Sequence, residues 1–255
     1  MKFSLCYGSY RDQDVYYHLN KVKEHGFQGL EFYNLHHVDD LKRLRAEQEK
    51  LGVVINATVT RFFDLVDAGK REQYISGLKE TIEDCKVAGV RSIITQTGNV
   101  IPGLSREAQI ENMIETLKRC AELCERADVV LELEPLNELD HPGHFLQRSD
   151  EAVRIVDAVG SEHVKLVFDV YHQQITEGDV TRSSTRYLSR INHFHIADNP
   201  GRKQPGTGEL NYVNILRAIR DAGFEGFVAL ECGYTKPTDE ALDEVKRDIL
   251  SKVIS

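Results

Sequence analysis

Apolar residues along this chain come in short, β-rich runs, each separated from the next by a longer polar stretch of helical periodicity. One join recurs: a polar helical stretch, a glycine, then an apolar run. It stands at Lys23-Glu24-His25-Gly26-Phe27, Lys50-Leu51-Gly52-Val53, Val87-Ala88-Gly89-Val90 and Asp221-Ala222-Gly223-Phe224. Glycine supplies the left-handed conformation that ends a helix before the chain enters a strand. The runs predict eight strands: Phe3–Tyr7, Phe27–Phe32, Val53–Val59, Val90–Thr95, Val129–Glu134, Val164–Asp169, Ile191–Ala197 and Phe227–Glu231. Helices are predicted between them, at 14–25, 38–51, 70–88, 105–126, 149–159, 181–190, 211–222 and 238–253, with Ser105, Ser149 and Thr238 as N-caps ahead of acidic residues. Strands alternating with helices imply parallel pairing through crossover units. Eight such units at about 32 residues each match a single (β/α)8 TIM barrel spanning residues 1–255 as one domain. A doubly wound sheet is the runner-up, but no Gly-rich fingerprint follows the first strand.

Composition narrows the function classes. Hydrophobic residues make up 41% and charged residues 29%, with 18 Gly and 6 Pro, which excludes a disordered or collagen-like chain. Lys and Arg total 32 against 41 Asp and Glu, a net charge of −9, which argues against a nucleic-acid partner. No apolar run reaches the ~18 residues of a membrane span, and an Arg and two Asp arrive too early for a signal peptide, so no membrane role is expected. The five cysteines (Cys6, Cys85, Cys120, Cys124, Cys232) are odd in number and sit in apolar segments, as in a reducing, cytoplasmic setting. A small-molecule substrate is the expected partner, and a homo-oligomer stays open.

In a barrel of this kind the active site lies at the carboxyl ends of the strands. Strand five ends Leu131-Glu132-Leu133-Glu134, strand six Leu166-Val167-Phe168-Asp169, strand seven carries His193-Phe194-His195, and strand eight ends Ala229-Leu230-Glu231. Glu134, Asp169, His195 and Glu231 lie 35, 26 and 36 residues apart in turn, about one βα unit each, so four consecutive strands aim them at the barrel mouth. Three carboxylates and an imidazole repel at low dielectric unless a cation joins them. Three oxygens and one nitrogen suit one divalent ion: Mn²⁺, Mg²⁺, Co²⁺ or Zn²⁺. A single acid at a strand end could equally be a salt-bridge partner; four at unit spacing are hard to explain that way.

Several segments carry a resemblance. Glu134-Pro135-Leu136-Asn137, the run Asp140 to Leu146 (Asp-His-Pro-Gly-His-Phe-Leu), Phe168-Asp169-Val170-Tyr171-His172, Asn199-Pro200-Gly201-Arg202 and the run 205–212 resemble the hydroxypyruvate isomerase family. That family sits within the xylose-isomerase-like sugar isomerase/epimerase superfamily. The resemblance implies a (β/α)8 barrel, one divalent metal on Glu134, Asp169, His195 and Glu231, and Glu134 and Glu231 as the catalytic acid/base pair. It also implies substrate contact by His172. Hydroxypyruvate isomerases commonly carry Gln at the third ligand position; His195 is similar to the ketose 3-epimerases. The implied reaction is aldose–ketose isomerisation of a small keto acid or ketose through an enediolate, hydroxypyruvate to tartronate semialdehyde being the named case. The alternative is a ketose 3-epimerase acting on a neutral or phosphorylated sugar.

Supporting residues follow from position. Arg202, in the loop after strand seven, offers a planar fork for a substrate carboxylate. Asp140, six residues past Glu134, could orient Glu134 or bind a hydroxyl. Glu31 ends strand two inside the barrel, a place to touch substrate or a metal ligand. His193, two residues before His195, points to the same side one layer deeper. Cys120 and Cys124 read as packing residues, His36-His37 as a solvated pair, and Gly206 with Gly208 as either a phosphate cradle or a tight turn. An abasic-site endonuclease of the same fold would want three zinc ions and a basic groove, which the charge disfavours. Four intact ligand positions argue against a non-catalytic barrel and leave a dehydratase relative with different chemistry open.

Overall fold

All four glycines of the recurring join take positive φ, between 67° and 93°. In the computed structural model, which describes residues 1–254, each sits where a helix gives way to a strand. Among the described residues eight strands close into one parallel barrel in sequence order: β1 (Lys2–Cys6), β2 (Gly29–Glu31), β3 (Val54–Val59), β4 (Ser92–Thr95), β5 (Val130–Leu133), β6 (Val164–Asp169), β7 (Ile191–Ile196) and β8 (Phe227–Leu230). β8 pairs back onto β1 with Leu5 opposite Leu230. The expected (β/α)8 TIM barrel is the fold observed.

The helices are α1 (Val15–Glu24), α2 (Leu41–Leu51), α3 (Arg71–Ala88), α4 (Arg106–Ala127), α5 (Ser149–Val159), α6 (Val170–Thr176), α7 (Val180–Arg186), α8 (Tyr212–Asp221) and α9 (Thr238–Val245). A π-turn stretch, Lys246–Leu250, carries α9 into a last turn, α10 (Ser251–Ile254). Strand side chains facing outward, such as Leu30, Ile93, Leu131, Phe168 and Phe194, pack with helix residues such as Leu19, Leu78, Leu117 and Leu216 in one large core. Cys120 and Cys124 lie in it, fully buried and free, and burial pushes both thiols well up. A second apolar cluster is small: Ala57, Ile94 and Val167, with Val59 against it.

Three local expectations are corrected. No helix was expected at 170–176, yet β6 runs straight into α6. The Asp169 carboxylate starts it by accepting from Tyr171 N at 2.8 Å. Ser149 is the first helical residue rather than a cap; its hydroxyl donates to Glu177. Thr238 likewise begins α9, and its Oγ1 donates to Ser9 O at 3.1 Å, tying the last unit to the first. Ser105 does cap α4, through Ala108 N at 3.2 Å. No helix among the described residues is long and apolar enough to cross a membrane.

Candidate active site

The mouth is built by register. Asp169 at the end of β6 stands opposite His195 on β7, and His195 opposite Ala229 on β8. Glu134 and Glu231 each sit one residue past their strands. Glu134 N donates to Thr95 O at 3.0 Å and Glu231 N to Ile196 O at 3.2 Å, which continues the ladder and keeps both side chains over the barrel. The result is a compact quartet: one donor atom each from Glu134, Asp169, His195 and Glu231 lies within 4.8 Å of the others. His195 Nδ1 is 2.8 Å from Glu134 Oε1 and 3.1 Å from Glu231 Oε2.

A buried polar chain orients the imidazole from below. His195 Nε2 lies 2.9 Å from Glu31 Oε2. A β-bulge between Leu30 and Glu31 against β3 sets the aim of that carboxylate. Glu31 Oε2 also lies 3.2 Å from His193 Nε2, and His193 Nδ1 lies 3.5 Å from Glu132 Oε2. Asn192 donates to the other oxygen of Glu132. With a cation bound and Nε2–H given to Glu31, the Nδ1 lone pair of His195 would face the space shared with the carboxylate oxygens of the quartet. That is the carboxylate–histidine arrangement that presents a metal-ligating nitrogen.

Electrostatics favour a cation here. Glu31, Glu132, Glu134, Asp169 and Glu231 crowd a space whose described positive groups are Arg202 and the imidazoles. Burial pushes the Glu134 carboxyl up to about 7, against the pull of His195. Burial acts on Glu231 in the same sense, but His195 and Arg202 outweigh it and hold that carboxyl well below its ordinary range. Burial disfavours a charged His195, yet Glu31, Glu134 and Glu231 together raise its pKa well above the ordinary value. A divalent ion among three carboxylate oxygens and one imidazole nitrogen would supply the missing charge, and the donor set fits one.

The remaining predicted residues divide. His172 is fully buried beside Asp169, its Nε2 3.4 Å from Asp169 Oδ2. Its Nδ1 accepts from Asn137 Nδ2 at 2.6 Å, so Nε2 carries the proton of the neutral ring, and that atom has no hydrogen-bond partner among the described residues. Burial pushes this imidazole down, which keeps it neutral. Arg202 reaches over the mouth: Nη2 is 2.6 Å from Glu231 Oε2 and 3.5 Å from Asp169 Oδ2. Asp140 is exposed and accepts from Asn137 Nδ2 at 3.1 Å, so it steadies Asn137, which holds His172, rather than turning Glu134. Gly206 and Gly208 make a tight turn. The amides of Gly206 and Thr207 are taken by the Asp198 carboxylate at 2.7 and 3.0 Å, and a Cβ on Gly208 would meet Asn199 O at 2.3 Å.

Two residues were given no role from the sequence. Tyr33 Oη donates to Glu231 Oε1 at 2.6 Å, and burial pushes the phenol up, so it stays a donor. Its signal was the period-two run Gly29, Glu31, Tyr33, which continues the inward face of β2 beyond the strand. Asn137 carried only the motif it belongs to. A cavity of about 160 Å³ opens over the quartet, walled by Val59, Phe63, Ile94 and Gln96. A wider hollow of about 430 Å³ between Tyr16, Asn34, His37 and Arg43 lies apart from it and holds none of the quartet.

Comparison with known proteins follows from this geometry. The family described as xylose isomerase-like TIM barrel matches residues 19–250. Hydroxypyruvate isomerase of Escherichia coli is 30% identical over 237 residues, 89% of this chain and 90% of that protein. A 2-oxo-tetronate isomerase of Cupriavidus necator is 31% identical over 163 residues, 64% of this chain and 63% of its own. Among solved structures, an AP endonuclease, family 2, from Brucella melitensis superposes with a TM-score of 0.90 at 23% identity, covering 97% of this chain and 99% of its own. That last likeness is one of fold.

Proposed function

This chain belongs to the xylose isomerase-like TIM-barrel family and is an isomerase, and from that premise we propose that it interconverts a small 2-keto acid and its aldehyde partner, as in hydroxypyruvate and tartronate semialdehyde. Glu134, Asp169, His195 and Glu231 would hold one divalent cation, which when bound supplies the positive charge that stabilises an enediolate. Glu134 and Glu231, from β5 and β8, converge on one atom, His195 Nδ1, at 2.8 and 3.1 Å, and this convergence carries the reading. One glutamate takes a proton from the hydroxymethyl carbon to give the enediolate, a proton is returned to the former carbonyl carbon, and the hydroxyl proton passes from the hydroxymethyl oxygen to the former carbonyl oxygen, which leaves the aldehyde. His172 Nε2–H, unpartnered and aimed beside Asp169, donates to a substrate oxygen. Arg202 receives the substrate carboxylate; Arg202→Ala should raise KM sharply for a keto acid and leave a neutral ketose almost unaffected.

Proton transfer through a glutamate exposes the abstracted proton to solvent. Reaction in D₂O, with Mn²⁺, Mg²⁺ or Co²⁺ added, should therefore place deuterium on the product carbon. Product formed at full rate without deuterium would remove the two-glutamate mechanism. The second reading, a ketose 3-epimerase, is favoured by histidine at the third ligand position. Inversion at C3 of a neutral ketose, with no aldehyde formed, would select it.

A further inference from the structure

The cavity over the quartet does not end at Glu231. A second chamber of about 210 Å³ adjoins it, sharing Glu231 and Tyr33 as the partition and walled on its far side by Cys6, Gly8, Arg11 and Gly233. The inner chamber, at about 160 Å³, is the smaller of the two and is bounded by Glu31, Glu134 and His195 as well as by the partition. Arg202 lines the outer chamber and not the inner one, so a three-carbon acid held by Arg202 would reach into the outer chamber no further than that arginine and leave Arg11 without a partner.

The walls of the outer chamber carry two arginines, Arg11 and Arg202, against one carboxylate, Glu231. Arg202 stands at the partition, held by Glu231. Arg11, a solvent-exposed residue, lines the same chamber. Among the described residues no carboxylate pairs with Arg11; only its backbone carbonyl is engaged, accepting from Tyr7 Oη at 2.9 Å. Lys203 adds a third cation at the rim, its Nζ only 3.1 Å from where a Cβ on Gly233 would sit. In a chain of net charge −9, an exposed arginine without a carboxylate, lining the same hollow as a second arginine beside the reacting groups, is suited to an anion.

We propose that this outer chamber is an anion subsite, so that the substrate has at least four carbons and carries a terminal carboxylate or phosphate that reaches Arg11 while its reacting carbons lie over Glu134 and Glu231. The proposal rests on the isomerase reading above and narrows its substrate class. Arg11 acts on binding, remote from the proton transfer. Gly8 offers an independent handle: a Cβ there meets nothing within 4 Å, so a larger side chain can be introduced to fill the chamber.

The test is calorimetric binding to the Mn²⁺-loaded protein of three inert acids that lack the keto group: glycerate (three carbons), tartrate (a four-carbon dicarboxylate) and 4-phosphoerythronate. The subsite predicts that at least one four-carbon ligand binds tenfold or more tighter than glycerate, the tighter one naming the anion. Arg11→Ala should remove that margin, and Gly8→Leu should remove it as well while glycerate affinity holds. Glycerate binding as tightly as both longer acids, or a margin that survives Arg11→Ala, overturns the subsite and leaves the isomerase reading standing. Longer acids that bind through Arg11 while glycerate fails to bind uphold the subsite and count against a three-carbon substrate. If none of the three binds, the subsite falls, and the isomerase reading is judged separately by deuterium incorporation in D₂O.

Discussion

The two halves of the barrel make unequal contributions to the mouth. Strands β5 to β8 deliver all four groups of the quartet, each at or one residue past a strand end. Strands β1 to β4 deliver none of them. They place Glu31 under His195, Tyr33 against Glu231, and Val59 and Ile94 as an apolar wall. The second half presents the chemistry and the first half aims it. A barrel allows this division because its inward side chains meet across the axis, so a carboxylate on β2 can orient an imidazole on β7.

The largest effect should come from the second half. Glu134→Gln and Glu231→Gln should each lower kcat by ~10²–10⁴-fold, the range of a lost acid–base group, measured as initial rate on the preferred substrate. An amide oxygen can still face the cation, so bound metal persists while turnover falls. If either variant keeps its rate, the glutamate pair is not the acid–base pair.

Next comes the aiming layer. Glu31→Ala frees His195 to turn, and metal affinity measured by titration should fall by about 10–100-fold, with Glu31→Gln retaining part of it. A loss as complete as that of His195→Ala would break the distinction between the two halves. Tyr33→Phe removes one donor from Glu231 and leaves the shape. A hydrogen bond to a charged group contributes about 1.5–3 kcal/mol, so kcat/KM should drop by about 10- to 100-fold, with metal content unchanged.

The smallest effect lies at the seam where the halves meet behind the mouth. Asp239 at the start of α9 accepts from Lys21 Nζ at 2.7 Å and lies 3.1 Å from His25 Nε2, both on the first βα unit, and Tyr10 donates to it as well. Partial burial opposes its ionisation, but these partners hold its pKa down to about 2. The folded value lies below the ~3.9 of an unfolded aspartate, so this contribution is present above about pH 4 and is lost as pH falls through 2. The carboxylate is half exposed, so screening keeps the contribution to about 0–1 kcal/mol. Chemical denaturation of Asp239→Asn and the parent at pH 7 should differ by that amount and converge near pH 2. A constant difference across pH would assign the loss to packing instead.

The sequence exposed the second half more readily than the first. Eight apolar runs gave the barrel, and acids at unit spacing pointed to the quartet because strand ends in such a fold share one mouth. Glu31 was legible as an inward residue able to touch a metal ligand, but that its partner is His195 was not, since the register shift between Leu30 and Glu31 leaves no trace in the periodicity. Tyr33 lies beyond the end of β2, where alternation stops being a dependable guide. Helix α6 was missed because seven residues give too short a pattern, and the Asp169 cap that starts it belongs to the candidate ligand itself. The contact of Asp140 with Asn137 was not legible, because spacing from Glu134 says nothing of how a loop folds back.

The central claim is that these four residues hold one divalent cation. Titration of Mn²⁺ into chelator-stripped protein, followed calorimetrically, addresses it without any assumption about substrate. The account predicts one equivalent bound to the parent chain, with affinity lost in His195→Ala and Asp169→Ala while both variants keep the parent's circular dichroism. No binding to the parent, or binding undiminished in both variants, would contradict it.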